Sequence, residues 1–282
     1  PSSARKITAW IPVPHTNGHQ TLNRTSVAGG LVFKKTREPE YGNEFMEINL
    51  PDISDGKREM VVTVSFWITR LPYRALEFSS ERDSAEPNLS RFLQPDQLIP
   101  IDGKIGSEAR RITQHEHTPL AKARTLYNHI VDTVRYDKSG SGWGLGDALY
   151  ACTHRKGNCT DFHSLFIGEA RALNIPARFV MGIPLSPGKT SGEIAGYHCW
   201  AEFYTNGKWW PTDISEGDKC SALSTYYFGH HPANRIEFSR GRDLVVEPGP
   251  ASGPINFLAY PLLEIGGEIA RTKVRFSFNR LP

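Results

Sequence analysis

The sequence predicts an α+β fold in which a small β-sandwich-like domain precedes a larger domain built from a cysteine-bearing helix packed on an antiparallel sheet. Three observations predict it. The first 78 residues alternate β-rich pieces with turn clusters. A capped helix opens at Asn158 and Cys159. Finally, "YHCWAEFYTNGKWWPTDIS" reads as a hairpin about the two-residue turn Asn206-Gly207.

From Lys6 to Phe78 the pieces "KITAWIPV", "GLVFKK", "FMEINL" and "EMVVTVSFWITR" are strands, and Val62, Val64, Phe66 and Ile68 repeat with period two. Residues 79–105 are polar, rich in proline and without sustained periodicity, which makes them the linker between domains 1–78 and 106–282. Thr118 as N-cap and Pro119 in the first turn open a helix whose apolar stripe is Ala123, Leu126, Tyr127, Ile130 and Val134. "SGSGWGLGD", Ser139 to Asp147, lacks the flanking strand and glycine spacing of a dinucleotide site and reads as a loop lining a cleft. The next helix carries Phe162, Leu165, Phe166, Ala170 and Leu173 on one face and stops at Asn174, ahead of Pro176. "ARFVMGIP" and the hairpin supply the strands that follow.

Composition excludes several functions. The 33 Lys and Arg against 30 Asp and Glu give a net charge of +3 without a basic run, so nucleic acid is not an expected partner. "INFLAYPLLEI" is too short to span a bilayer and is broken by Pro261 and Glu264, so no membrane span is expected. Four cysteines, Cys152, Cys159, Cys199 and Cys220, are too few for a disulfide scaffold and match no zinc-finger spacing.

Cys159 could be a buried small residue, a disulfide half, a metal ligand or a nucleophile. A cysteine in the first turn of a helix has free amides and the positive end of the helix dipole beside its sulfur, which lowers a thiol from about 8.5 into a range of roughly 3.5 to 7.5. The hairpin favours the nucleophile. Pairing Thr205 with Lys208 and counting back puts Trp200 opposite Asp213 and His198 opposite Ser215, which makes Asp213 the diagonal neighbour of His198. The same count turns Cys199 to the opposite face with Ile214, where its role is packing. Trp200 and Trp209 are expected to keep water out. Cys159, His198 and Asp213 then form a nucleophile, base and orienting acid for acyl transfer. His163 is set aside as a capping or packing residue, Trp143 as a cleft-lining one, and His115 and His117 as solvated. Zinc is not expected, because Cys159, His163, His198, Cys199 and Cys220 lack any common ligand spacing.

"RKGNCTDFHSLFIGEARALNIPARFVMGIP" followed by "GYHCWAEFY" and "GKWWPTDIS" resembles the core of bacterial transglutaminase-like proteins. The resemblance implies a papain-like fold with Cys159, His198 and Asp213 as the triad. It also implies a cysteine-dependent peptidase- or amidase-type enzyme working through a thioester. Thr160 stands where animal transglutaminases carry Trp, and their acidic calcium loops find no match, so hydrolysis is expected over transfer to amines, with no cofactor and no metal. A non-catalytic binding protein that keeps the fold is the alternative. The expected partner is a peptide or protein substrate, cell-wall peptides included. The opening "PSSARK" reads as a trimmed end, and similar proteins tend to be exported, so a periplasmic or secreted location is expected.

Overall fold

The computed structural model describes residues 6–51, 60–75 and 88–281. It is the expected α+β fold with antiparallel sheets. The chain forms two compact units that interleave: residues 1–71, 181–197 and 234–282 make one, and 72–180 with 198–233 make the other. A single linear boundary over 79–105 was expected. Instead, part of that stretch (79–87) lies outside the described residues, and Phe92, Ile99 and Ile105 bury their side chains within the second unit.

In the first unit, strands Ile7–Val13, Phe33–Glu38 and Asn43–Leu50 form one antiparallel sheet, with Ile7–Val13 and Asn43–Leu50 as neighbours. Its other side is supplied by Leu262–Ile265, which pairs Ile7 with Ile265 and Trp10 with Leu262, and then by Glu268–Ala270. Strands from the end of the stretch 106–282, expected as a C-terminal β extension of the larger domain, therefore pair into the N-terminal sheet. Strands Gln20–Val27 and Val64–Arg70 pair separately, and Leu22, Val64 and Phe66 cover the sheet residues Ile11, Val13, Met46 and Ile48. Period two works here because alternate residues of each strand meet across the two layers.

Among the described residues the second unit holds five α-helices: α1 (Gly103–Ile112), α2 (Pro119–Thr133), α3 (Ala148–His154), α4 (Cys159–Ala172) and α5 (Ile214–Lys219). Helix α4 is central. It packs against α1, α2, α3, α5 and the strand His198–Thr205, so Phe162, Leu165, Phe166, Ile167 and Ala170 are all fully buried. Such enclosure is what stabilises a helix that presents buried side chains on every side. Helix α2 starts as its sequence dictates, with the Thr118 side chain accepting the Ala121 N–H. The hairpin His198–Thr205 with Lys208–Thr212 turns at Asn206 and Gly207, both at positive φ (55° and 79°), as a two-residue hairpin turn requires. No helix among the described residues is long and apolar enough to cross a membrane.

Candidate active site

The start of α4 is fixed by reciprocal capping. The Asn158 side chain accepts the Thr160 N–H at 2.9 Å, and the Asp161 carboxylate accepts the Asn158 N–H at 2.9 Å. Asp161 does more than cap. It also accepts the N–H of Gly144 at 2.7 Å and of Gly146 at 3.0 Å, which ties the glycine-rich loop to the turn carrying Cys159. Gly157 is obligatory, because a Cβ there would lie 2.6 Å from Asp161 Cβ. Trp143 bends back on its own loop, and its indole N–H donates to Gly140 O at 3.2 Å.

Cys159, His198 and Asp213 come together. His198 Nε2 is 2.6 Å from Asp213 Oδ2, and the other side of the imidazole hydrogen-bonds the Cys159 thiol. Cys159 is 4% exposed and His198 5%, while Asp213 is fully buried. The Cys159 thiol is held well below its ordinary value. The Cys199 thiol donates to it, and the His198 ring favours its anion, together outweighing burial. Burial alone would pull His198 down, yet the Asp213 carboxylate and the thiolate lift it to about 9. The stable form at neutral pH is therefore a thiolate beside an imidazolium.

Two details differ from the hairpin count. Pairing of Thr205 with Lys208 holds, but the strand ends at Thr212. Asp213 is the N-cap of α5, its Oδ1 accepting the Glu216 N–H at 3.3 Å, and it meets His198 from a helix start rather than as a strand neighbour. Cys199 is not turned away from the site. It is fully buried, touches the Cys159 sulfur and lies 3.6 Å from His163 Nδ1, while burial and the adjacent charges push its own thiol well up. It can therefore serve as a neutral donor to the thiolate.

Three nearby residues stood outside the site in the sequence reading, His163 having been set aside as a capping or packing residue. His163, one turn along α4 from Cys159, is fully buried and hydrogen-bonded on both ring nitrogens. His231 packs on Trp200 with ring centroids 4.1 Å apart, its Nε2 4.0 Å from Asp213 Oδ2. The Tyr136 hydroxyl is held neutral by burial and by charge on Cys159. The i, i+4 spacing from Cys159 was the available signal for His163. Trp209 shields no part of this site. It lies at the turn end of the hairpin opposite Tyr204, between Phe92 and Arg178. His115 and His117 are exposed, as expected. Among the described residues no group of three or more His, Cys, Asp or Glu could hold a metal ion.

Residues 107–214 match the sequence profile of the transglutaminase-like superfamily. An uncharacterized protein of Haemophilus influenzae is 31% identical over 297 residues, spanning 92% of this chain and 80% of its own. Another, from Mycobacterium leprae, is 27% identical over 63% of this chain and 75% of its own. The crystal structure of a candidate cysteine protease from Cytophaga hutchinsonii superposes with a TM-score of 0.61 at 18% identity, covering 97% of this chain and 85% of the other.

Proposed function

Because the chain belongs to the transglutaminase-like superfamily, we propose that it is a cysteine-dependent enzyme that hydrolyses amide bonds through a thioester, with Cys159 as nucleophile, His198 as proton carrier and Asp213 as its orienting acid. The observation that carries this reading is the hydrogen-bonded series from Cys159 through His198 to Asp213, at the N-terminus of a capped helix.

The chemistry follows from those positions. The thiolate adds to the carbonyl carbon, and the displaced electron pair settles on oxygen, where the Cys159 N–H and the helix dipole stabilise it. The His198 imidazolium gives its proton to the leaving nitrogen, the C–N bond breaks and a thioester remains. Neutral His198 next takes a proton from water, hydroxide adds to the thioester, and the thiolate departs. Asp213 keeps the ring oriented and stabilises its charged form in both halves of the cycle.

Hydrolysis is the proposed outcome over transfer to amines. Thr160 occupies the position where animal transglutaminases carry Trp, and its hydroxyl is spent inside the cap on Asn158 Oδ1. Peptides or peptide-like amides, cell-wall peptides among them, are the proposed substrates, and an extracytoplasmic location is part of the same reading. Retention of the fold for binding alone is disfavoured by the stabilised thiolate, since a scaffold has no use for one. The test incubates the protein with a glutaminyl peptide and excess primary amine. Peptide cleavage or ammonia release, lost in Cys159→Ala, is expected. Amine incorporation outrunning both would make the protein a transferase, and no turnover across an amide panel would support the scaffold.

A further inference from the structure

His163 is joined to the backbone on both sides, and those partners leave it one protonation state. Its Nδ1 is 2.6 Å from the carbonyl oxygen of Cys159, which can only accept, so Nδ1 carries the proton. Its Nε2 is 3.0 Å from the amide nitrogen of Ile214, which can only donate, so Nε2 presents a lone pair. The ring is therefore neutral in a single tautomer. Burial, which disfavours its charge, acts in the same direction.

The charged and titratable groups around the ring are accounted for. Asp213 Oδ1, at the start of α5, lies 3.7 Å from Nε2. From the strand, Cys199 Sγ lies 3.6 Å from Nδ1, and the His198 ring stands edge-on at 6.5 Å between centroids. Cys159 lies one turn back on its own helix. Protonating Nε2 to pair with Asp213 would set two N–H groups against each other at Ile214 and give up that hydrogen bond. The ring thus connects the peptide of the nucleophile to the peptide that follows the orienting acid.

The geometry points to His163 as a positioning residue for the proposed triad: locked as the Nδ1–H tautomer, it links the Cys159 carbonyl to the Ile214 amide and holds Asp213 in register with the helix that carries the nucleophile. This rests on the triad reading. It gives α4 and α5 a direct polar connection at the point where the relative placement of Cys159 and Asp213 matters, and it does so without adding a charge that would compete with His198 for the carboxylate.

The experiment measures the rate of Cys159 alkylation by iodoacetamide against pH in wild type, His163→Leu, His163→Gln and His198→Ala, with circular dichroism confirming the fold of each. His163→Leu is expected to slow labelling about tenfold at neutral pH and to move the midpoint of the profile up by about one pH unit, the rates converging at alkaline pH where the thiol ionises unaided. His163→Gln, which keeps a donor and an acceptor, is expected to recover most of the loss. Equal behaviour of Leu and Gln, or an unshifted profile in a folded Leu variant, would overturn the proposal and leave a space-filling role. Nitrogen NMR of the wild-type ring supplies an independent reading if the variants do not fold: a proton on Nδ1, none on Nε2, and no titration across about pH 5 to 9. The opposite tautomer or a titrating ring would also overturn it. Slow wild-type labelling that ignores His198→Ala would instead sink the triad reading itself.

Discussion

Replacing Asp213 by asparagine separates its two roles. Asparagine is as good an N-cap as aspartate and can still accept the Glu216 N–H that starts α5, so the fold is expected to survive while the negative charge beside His198 is lost. The charge matters because His198 stands at about 9 against an ordinary value of 6.5. A difference of that size represents roughly 3 kcal/mol of preference for the imidazolium, held jointly by Asp213 and the thiolate against the opposing cost of burial. If the carboxylate supplies about half, Asp213→Asn should lower the equilibrium constant for the thiolate–imidazolium pair by about ten- to twentyfold and bring the imidazole down by about one pH unit. The assay is a brief iodoacetamide pulse at a series of pH values, with the modified cysteine identified by mass spectrometry. The step in the Cys159 labelling profile that accompanies loss of the imidazolium proton should lie about one pH unit lower than in wild type. A profile that coincides with wild type would refute the reasoning, since it would mean that Asp213 does not set the charge state of His198.

Removing the donor thiol by Cys199→Ala should raise the pH at which Cys159 becomes reactive without abolishing labelling, because His198 remains; the same pulse experiment reads it, and an unchanged midpoint would show the Cys199 contact to be electrostatically idle. Asp161→Ala removes the acceptor of three backbone amides and should cost about 2 to 3 kcal/mol in denaturant unfolding, with faster proteolysis in the loop Ser139 to Asp147 as the specific sign. Glu169 on α4 is fully buried, no described group hydrogen-bonds its carboxyl, and burial raises it well above 4.5. A carboxyl raised by folding contributes stability that is complete below its unfolded value and lost as pH rises toward its folded one. Wild type should therefore lose stability relative to Glu169→Gln from about pH 4.5 upward, and urea midpoints that run parallel across pH would contradict this.

The local signals in the sequence carried far. Asn158 announced the start of α4, Thr118-Pro119 that of α2, and Asn206-Gly207 the hairpin register out to Thr205 and Lys208. The count failed past Thr212 because it assumed that the strand continued. Asp213 followed three residues later by Glu216 is itself a helix-start pattern, and reading it would have stopped the strand in time. Cys199 was misplaced because strand alternation orders side chains with respect to the sheet, whereas the start of α4 meets this strand at its first residues. The pairing of Ile7 with Ile265 left no local trace, since contacts between distant segments depend on the whole chain and not on any window of it.

Interleaving of the two units sets a timetable for the chain as it leaves the ribosome, N-terminus first. Residues 7–50 emerge early, but the strand that flanks Ile7–Val13 arrives only with Leu262–Ile265. Cys159 is made long before Asp213, and the residues between them, 181–197, belong to the unit that finishes last. The unit holding α4 cannot close before residue 233 is made, and the other cannot close before Leu262–Ile265. The nascent protein must carry an incomplete α4 pocket until residue 233 has been added and the open edge of Ile7–Val13 until Leu262–Ile265 has followed, which makes the ribosome-bound stage the interval when misassembly is most probable.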